Sequence, residues 1–220
     1  MAMMTKSEAR ALLEVPAGGR YVSLSGWISS RKGAKALIRA FAEAPLKADD
    51  RLLFAGPIDA EIREFLRQPE STGLARAGRL IAIGRLLPED LLDASVAAAD
   101  LVALPYLDGP SHSGPSNIAI RAARCGRPIL ATPFPWAAAI IPKFKLGNLV
   151  TSTEPGTLGQ ALVASLNAAE TYSPSPAGRN LADFFSMENF QACWTARLAE
   201  RLGRPVPPRI GWDAVWAGTP

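Results

Sequence analysis

Residues 80–105 read LIAIGRLLPEDLLDASVAAADLVALP, and this stretch decides the fold. Leu80-Ile81-Ala82-Ile83 and Leu101-Val102-Ala103-Leu104 are short apolar runs without polar alternation, the pattern of strands covered on both faces. Between them Pro88 sits where a helix can start, because the N–H that proline lacks has no partner in a first turn. The spacing predicts a helix from Pro88 to about Ala99. A strand, a helix and a second strand in so short a span form one parallel crossover unit.

The same alternation continues on either side. Tyr21 to Ser25 reads as a first strand, followed by a glycine turn and a helix from about Gly33 to Ala44, where Ala36, Leu37, Ala40 and Phe41 recur at helical spacing. Arg51 to Ala55 is a strand ended by Gly56-Pro57, and Ala60 to Gln68 a helix. Downstream come a helix near Asn117 to Cys125, a strand at Pro128 to Ala131, a helix at Trp136 to Ile141 and a short strand at Asn148 to Val150. Pro155 to Ala169 is a helix with Leu158, Leu162 and Leu166 at i, i+4, i+8. The expected fold is α/β: a Rossmann-like, doubly wound, mostly parallel sheet of about six strands with helices on both faces. The expected organisation is a linker or helix over 1–19, a Rossmann-like domain over 20–170, a linker and a C-terminal helix over 171–202, and a Pro/Trp-rich tail over 203–220. Thr171 to Ala177 reads as linker, and Met187 to Leu202 as an amphipathic helix with Phe190, Trp194 and Leu198 on one stripe.

Composition narrows the function. With 220 residues, 48% hydrophobic and 20% charged, the chain can bury roughly 70% of its unfolded surface in one core. The longest apolar stretch, Ala94 to Tyr106, is broken by Asp100 and shorter than the ~20 residues of a membrane span. Residues Met1 to Arg10 hold Lys6, Glu8 and Arg10 and no apolar block, so no signal peptide is expected. Cys125 and Cys193 are the two cysteines, which excludes a disulfide scaffold and points to the cytoplasm. The net charge of +4 is scattered, so no nucleic-acid partner is expected. His112 is the single histidine, and with two distant cysteines it makes no metal-ligand set and no hydrolytic triad.

In a wound sheet the loops after the strands carry the site. After the first strand, Gly26 permits a tight turn, and Lys32 stands at a helix start where its ammonium favours an anion such as phosphate. The loop after the fourth strand, Pro105 to Asn117, is long for such a connection and leads into a helix N-terminus, a second phosphate cradle capped by Ser116 or Ser113.

The order of these pieces resembles the C-terminal half of a GT-B glycosyltransferase of family 4, the group 1 glycosyltransferases. Ser25 to Gly33 is similar to the family's V-G-R-x-x-x-x-K-G turn, and Ile81 to Pro105 to its G…P…L…A-D…P stretch. Arg121 to Ile129 is similar to the E-A-x-A-x-G-x-P-V segment, and Phe185-Ser186-Met187-Glu188-Asn189 to the closing helix. The resemblance spans about Tyr21 to Leu202. It implies a UDP- or GDP-sugar donor, no cofactor, no metal, and a diphosphate held by Gly26, Arg31, Lys32, Ser113, Gly114, Ser116, Asn117 and Arg121. No catalytic residue is assigned. Three positions depart from the pattern: Trp27 stands where the family has an Arg, and Ser113 and Arg121 where it has two glutamates. Arg31 or Arg121 is expected to replace the missing cation. GT-B chemistry also needs an N-terminal acceptor domain, so the chain alone is expected to be inactive. Its partners are then that domain, or a second copy, through an apolar face. The rival reading is a non-catalytic interaction module that kept the fold; a sugar epimerase of the same architecture is a weaker third.

Overall fold

A computed structural model describes residues 4–107, 114–211 and 215. Six strands form one sheet: β1 (Tyr21–Ser25), β2 (Arg51–Ala55), β3 (Leu80–Ile83), β4 (Leu101–Leu104), β5 (Ile129–Ala131) and β6 (Gly147–Leu149). Their order is β3-β2-β1-β4-β5-β6 and every pairing is parallel, with Tyr21 opposite Arg51, Val22 opposite Leu101 and Val102 opposite Ile129. The doubly wound sheet expected from the apolar runs is the one found. Its central strands are buried throughout because helices cover both faces.

On one face Val22, Leu24, Leu52 and Phe54 pack against α2 (Ala34–Glu43) and α8 (Pro155–Ala169). α2 presents Leu37, Ile38 and Phe41, and α8 presents Leu158, Leu162 and Leu166. The other face presents Tyr21, Leu53, Val102 and Ile129. α5 (Glu89–Ala97) lays Ala94 against the sheet, and the buried Ser25 and Ser95 hydroxyls satisfy each other at 2.9 Å. α6 (Asn117–Arg124), α7 (Pro135–Lys143) and α9 (Pro176–Phe184) complete that face through Ile118, Ile141 and Leu181.

Of the remaining elements, some match the sequence reading and others differ from it. α1 (Lys6–Leu12) is a helix with a Thr5/Glu8 capping box. It is tied down by Asp100, which accepts from Arg10 (2.8 Å), Lys6 (2.6 Å) and the Tyr21 amide (2.8 Å). The helix expected over Ala60 to Gln68 is α3 (Ala60–Phe65), followed by a separate α4 (Pro69–Arg76) that begins at a proline. Ser71, Thr72 and Gly73 inside α4 are weak helix formers, so packing of Leu74 outweighs propensity there. A 3-10 turn at Ser30–Lys32 precedes α2. The supposed linker ends in a helix: the Ser175 hydroxyl accepts from the Gly178 amide at 2.9 Å and caps α9, which starts at Pro176. α10 (Met187–Arg201) lies where expected. The tail returns along it, pinned by the Asn189 side chain, which accepts from the Ile210 amide (2.8 Å) and donates to the Ile210 carbonyl (3.1 Å). Val215 is fully buried in the core; Trp212 and Trp216, expected to pack the tail, lie outside the described residues.

Candidate functional site

The chain runs from β1 through β2 to β3 at one edge, then returns to place β4 on the other side of β1. Strand order reverses at that junction. The carboxyl ends of β1 and β4 therefore open a crevice, the position at which wound sheets hold ligands. Both loops singled out from the sequence start there.

The β1 loop is shaped by two glycines. Gly26 has φ +85°, and a Cβ on it would stand 2.9 Å from Lys32 Nζ. Its bareness lets the ammonium fold back over the strand end, where it donates to the Ser25 carbonyl at 2.9 Å. Gly33 has φ +72°, and a Cβ there would come within 2.0 Å of the Pro105 carbonyl oxygen. The β1 loop can thus close onto the β4 loop, and the Leu107 amide donates to the Arg31 carbonyl at 2.9 Å across the junction.

The β4 side is a rigid aromatic wall. The Thr132 hydroxyl donates to the Tyr106 carbonyl at 2.6 Å, and the Tyr106 ring stacks on Phe134 with centroids 5.2 Å apart. Lys32 Nζ lies 5.9 Å above the Tyr106 ring. The Tyr106 hydroxyl meets Ser116 Oγ at 3.3 Å, and burial pushes the phenol up, keeping it neutral. Ser116, rather than Ser113, is the cap of α6, accepting from the Ala119 amide at 3.3 Å. The partial positive charge of the α6 N-terminus adds to that of Lys32.

Between the loops lies a cavity of about 220 Å³ lined by Arg31, Lys32, Gly114, Ser116 and Asn117, with Tyr106, Pro115, Ile118 and Phe134 as its walls. That is smaller than the roughly 300–1,000 Å³ of a pocket enclosing a whole small molecule, and it suits an anion of diphosphate size. Burial brings the Lys32 ammonium down from 10.5 to about 8, and the Arg31 guanidinium adds to the effect. Among the described residues no carboxylate bonds Lys32, so a bound anion would supply the missing counter-charge.

Of the eight expected site residues, six come together here: Gly26, Arg31, Lys32, Gly114, Ser116 and Asn117. Ser113, like His112, lies outside the described residues. Arg121 is set apart from them. It is buried on α6 and its guanidinium donates to Glu89 and Asp93 on α5; burial opposes its charge and the two carboxylates outweigh it, raising its pKa. Trp27 points to the other side, its indole N–H donating to Asp59 Oδ1 before α3. Tyr106, Phe134 and Gly33 are site-forming residues the sequence reading missed. For Tyr106 and Gly33 a signal existed, since Tyr106 lies within the long loop after β4 and Gly33 directly follows Lys32 at the end of the β1 turn.

A larger cavity of about 930 Å³ lies among α5, the C-terminal end of α6, α9, α10 and the tail. Asp90, Asp93, Asp183 and Glu188 there offset Arg124, Arg179 and Arg209, and none of its lining residues lines the crevice. Among the described residues no group of His, Cys, Asp and Glu could hold a metal ion, and no helix is long and apolar enough to cross a membrane.

Residues 19–168, which include both loops of the crevice, match the family described as glycosyl transferases, group 1. The chain belongs to the group 1 glycosyltransferases. Over 215 residues it is 26% identical to the D-inositol 3-phosphate glycosyltransferase of Corynebacterium urealyticum, covering 90% of this chain and 46% of that protein. This group 1 chain thus spans about half the length of that curated relative. Its fold is similar to that of Anabaena Alr3699/HepE, crystallised with UDP-glucose (TM-score 0.67, 22% identity, 90% of this chain and 52% of that one). It is also similar to the C-terminal domain of the group 1 glycosyltransferase LpcC of Francisella tularensis (TM-score 0.63, 17% identity). There the match covers 80% of this chain and 90% of that domain.

Proposed function

We propose that this group 1 chain is the donor-binding half of a glycosyltransferase and seats the diphosphate of a UDP- or GDP-sugar between the β1 and β4 loops. Lys32 carries the reading: a largely buried ammonium at the switch point, folded over Gly26, with no carboxylate bonded to it among the described residues. Lys32 and the α6 N-terminus stabilise the negative charge that grows on the leaving diphosphate, electrostatic work that calls for neither a metal nor a protein nucleophile. Arg31, which lines the cavity, serves as the second cation in place of the arginine that Trp27 replaces. Arg121, held by Glu89 and Asp93, keeps α6 on α5. Retaining hexosyl transfer then needs an acceptor-binding N-terminal domain, and we assign the reaction to the cytoplasm, a compartment that two unpaired cysteines suit.

The test is thermal unfolding of the chain with millimolar UDP, GDP, UDP-glucose or GDP-mannose. A ligand at a hundred times its Kd adds about 2.7 kcal/mol. Stabilisation by one nucleotide series is expected, abolished by Lys32→Gln and weakened more by Arg31→Ala than by Arg121→Ala. No stabilisation by any of the four overturns the donor reading in favour of the interaction module.

A further inference from the structure

Among the described residues the largest exposed apolar feature lies away from the crevice, on α10. Met187, Phe190, Trp194, Leu198 and Leu202 are 54–70% exposed and form one stripe from the start of the helix to its C-cap. The residues that α10 buries against the domain, Asn189, Ala196 and Ala199, are on the opposite side of the helix. At 100° per residue Trp194 and Ala196 point about 160° apart, so the stripe faces straight outward. No described residue covers it. Five large side chains in one continuous row exceed what isolated surface hydrophobics account for, and such a row marks an interaction surface.

We propose that this face pairs with the same face of a second copy, the two α10 helices running antiparallel about a two-fold axis at Trp194. Three observations choose this occupant. First, the stripe is nearly the same read in either direction: Phe190 and Leu198 stand four residues either side of Trp194, and Met187 and Leu202 seven and eight. A two-fold axis through Trp194 therefore lays Phe190 against the partner copy's Leu198 and Met187 against its Leu202, which is the self-complementarity an isologous contact requires. Second, the two ends of the helix differ in charge. Glu188 is in the first turn, whereas Arg197, Arg201 and Arg204 outnumber Glu200, which pairs with Arg197, at the last turns and just beyond. Antiparallel pairing sets acidic end beside basic end and opposes the helix dipoles; parallel pairing sets like beside like. Third, the area suffices. At the observed exposures, five side chains of roughly 200 Å² each hide about 600 Å² per copy, or ~1,200 Å² in all, at the lower limit for a specific interface.

Sedimentation of the full chain from 1 to 100 μM tests this. A species of about twice the 23.4 kDa protomer mass is expected. Trp194→Glu, or Leu198→Glu should the first fail to fold, converts it to monomer with an unchanged far-ultraviolet spectrum. Leu86→Glu, which alters an equally exposed apolar residue elsewhere, leaves the dimer intact. Direction is read by cross-linking in a Cys193→Ser background: Met187→Cys and Leu202→Cys chains form a disulfide when mixed and neither does so alone. A monomer at 100 μM overturns the proposal, whether or not the chain binds a nucleotide. So does a dimer that survives both glutamate variants, or cross-linking of either cysteine chain with itself.

Discussion

α8 and α10 are helices of 15 residues carrying large apolar side chains at the same i, i+4, i+8 spacing, yet they meet opposite fates. Leu158, Leu162 and Leu166 are 0% exposed, wedged between α2 and the sheet. Phe190, Trp194 and Leu198 are 65%, 70% and 54% exposed. Periodicity thus reports that a helix has an apolar face and leaves open what lies across from it. In α8 the facing element belongs to the same domain. In α10 the domain already packs the other side of the helix, through Ala196 and Ala199, and the stripe is left over. Truncation measures this contrast most directly. Leu162→Ala is expected to cost about 2–5 kcal/mol in urea unfolding, because it removes buried contacts and leaves a void that rigid neighbours cannot fill. A loss below about 1 kcal/mol would mean that α8 is no better covered than α10.

The same question of what lies opposite governs the buried cations. Arg121 faces two carboxylates; Lys32 faces a carbonyl, a ring and a second cation. The charge of Arg121 is therefore balanced within the fold, whereas Lys32 is held at a cost. Its folded pKa of about 8 lies below the unfolded 10.5, so between these values the unfolded chain binds more protons and stability rises with pH. Below pH 8 both states are protonated and the penalty is fully present. Lys32→Met is expected to stabilise the domain by about 1–2 kcal/mol at pH 7, after the lost bond to Ser25 is set against the relief. Its advantage over wild type should fade between pH 8 and 10.5, as followed by urea unfolding across that range. Nucleotide affinity should behave in the opposite sense, falling as pH passes 8 and the ammonium is lost. A variant less stable at pH 7 would mean that Lys32 is as well partnered as Arg121.

These contrasts also explain what could be read from the chain directly. The sheet was legible because continuous apolar runs such as Leu101 to Leu104 have one use in a domain of this size, and because Pro88, Gly26 and Ser116 mark boundaries by their own chemistry. α4 and α9 were not, since Ser71-Thr72-Gly73 and Ser173-Pro174-Ser175-Pro176 have loop composition and are helical or cap a helix only through tertiary contacts of Leu74 and Leu181. At the site, Lys32 and Ser116 were legible from their places beside helix starts. The position of Arg121 was not: motif spacing places it on α6, and the Glu89 and Asp93 that hold it are nearly thirty or more residues away in sequence.

The smallest expected effect is the most telling. Trp194→Ala removes the largest side chain of the α10 stripe, and a buried tryptophan lost in this way costs about 3–5 kcal/mol. Measured where the chain is monomeric, the change in unfolding free energy should stay within about 0.5 kcal/mol, the range of surface substitutions. The physical reason is that Trp194 leaves water neither in the folded monomer nor in the unfolded chain, so folding of one copy gains nothing from it. At concentrations where copies associate, the same substitution should lower the unfolding midpoint, because the wild type is then stabilised by mass action and the variant is not. A loss of 2 kcal/mol or more in the dilute monomer would show that the stripe is covered within a single chain. α10 would then be a second α8, packed against a part of its own molecule.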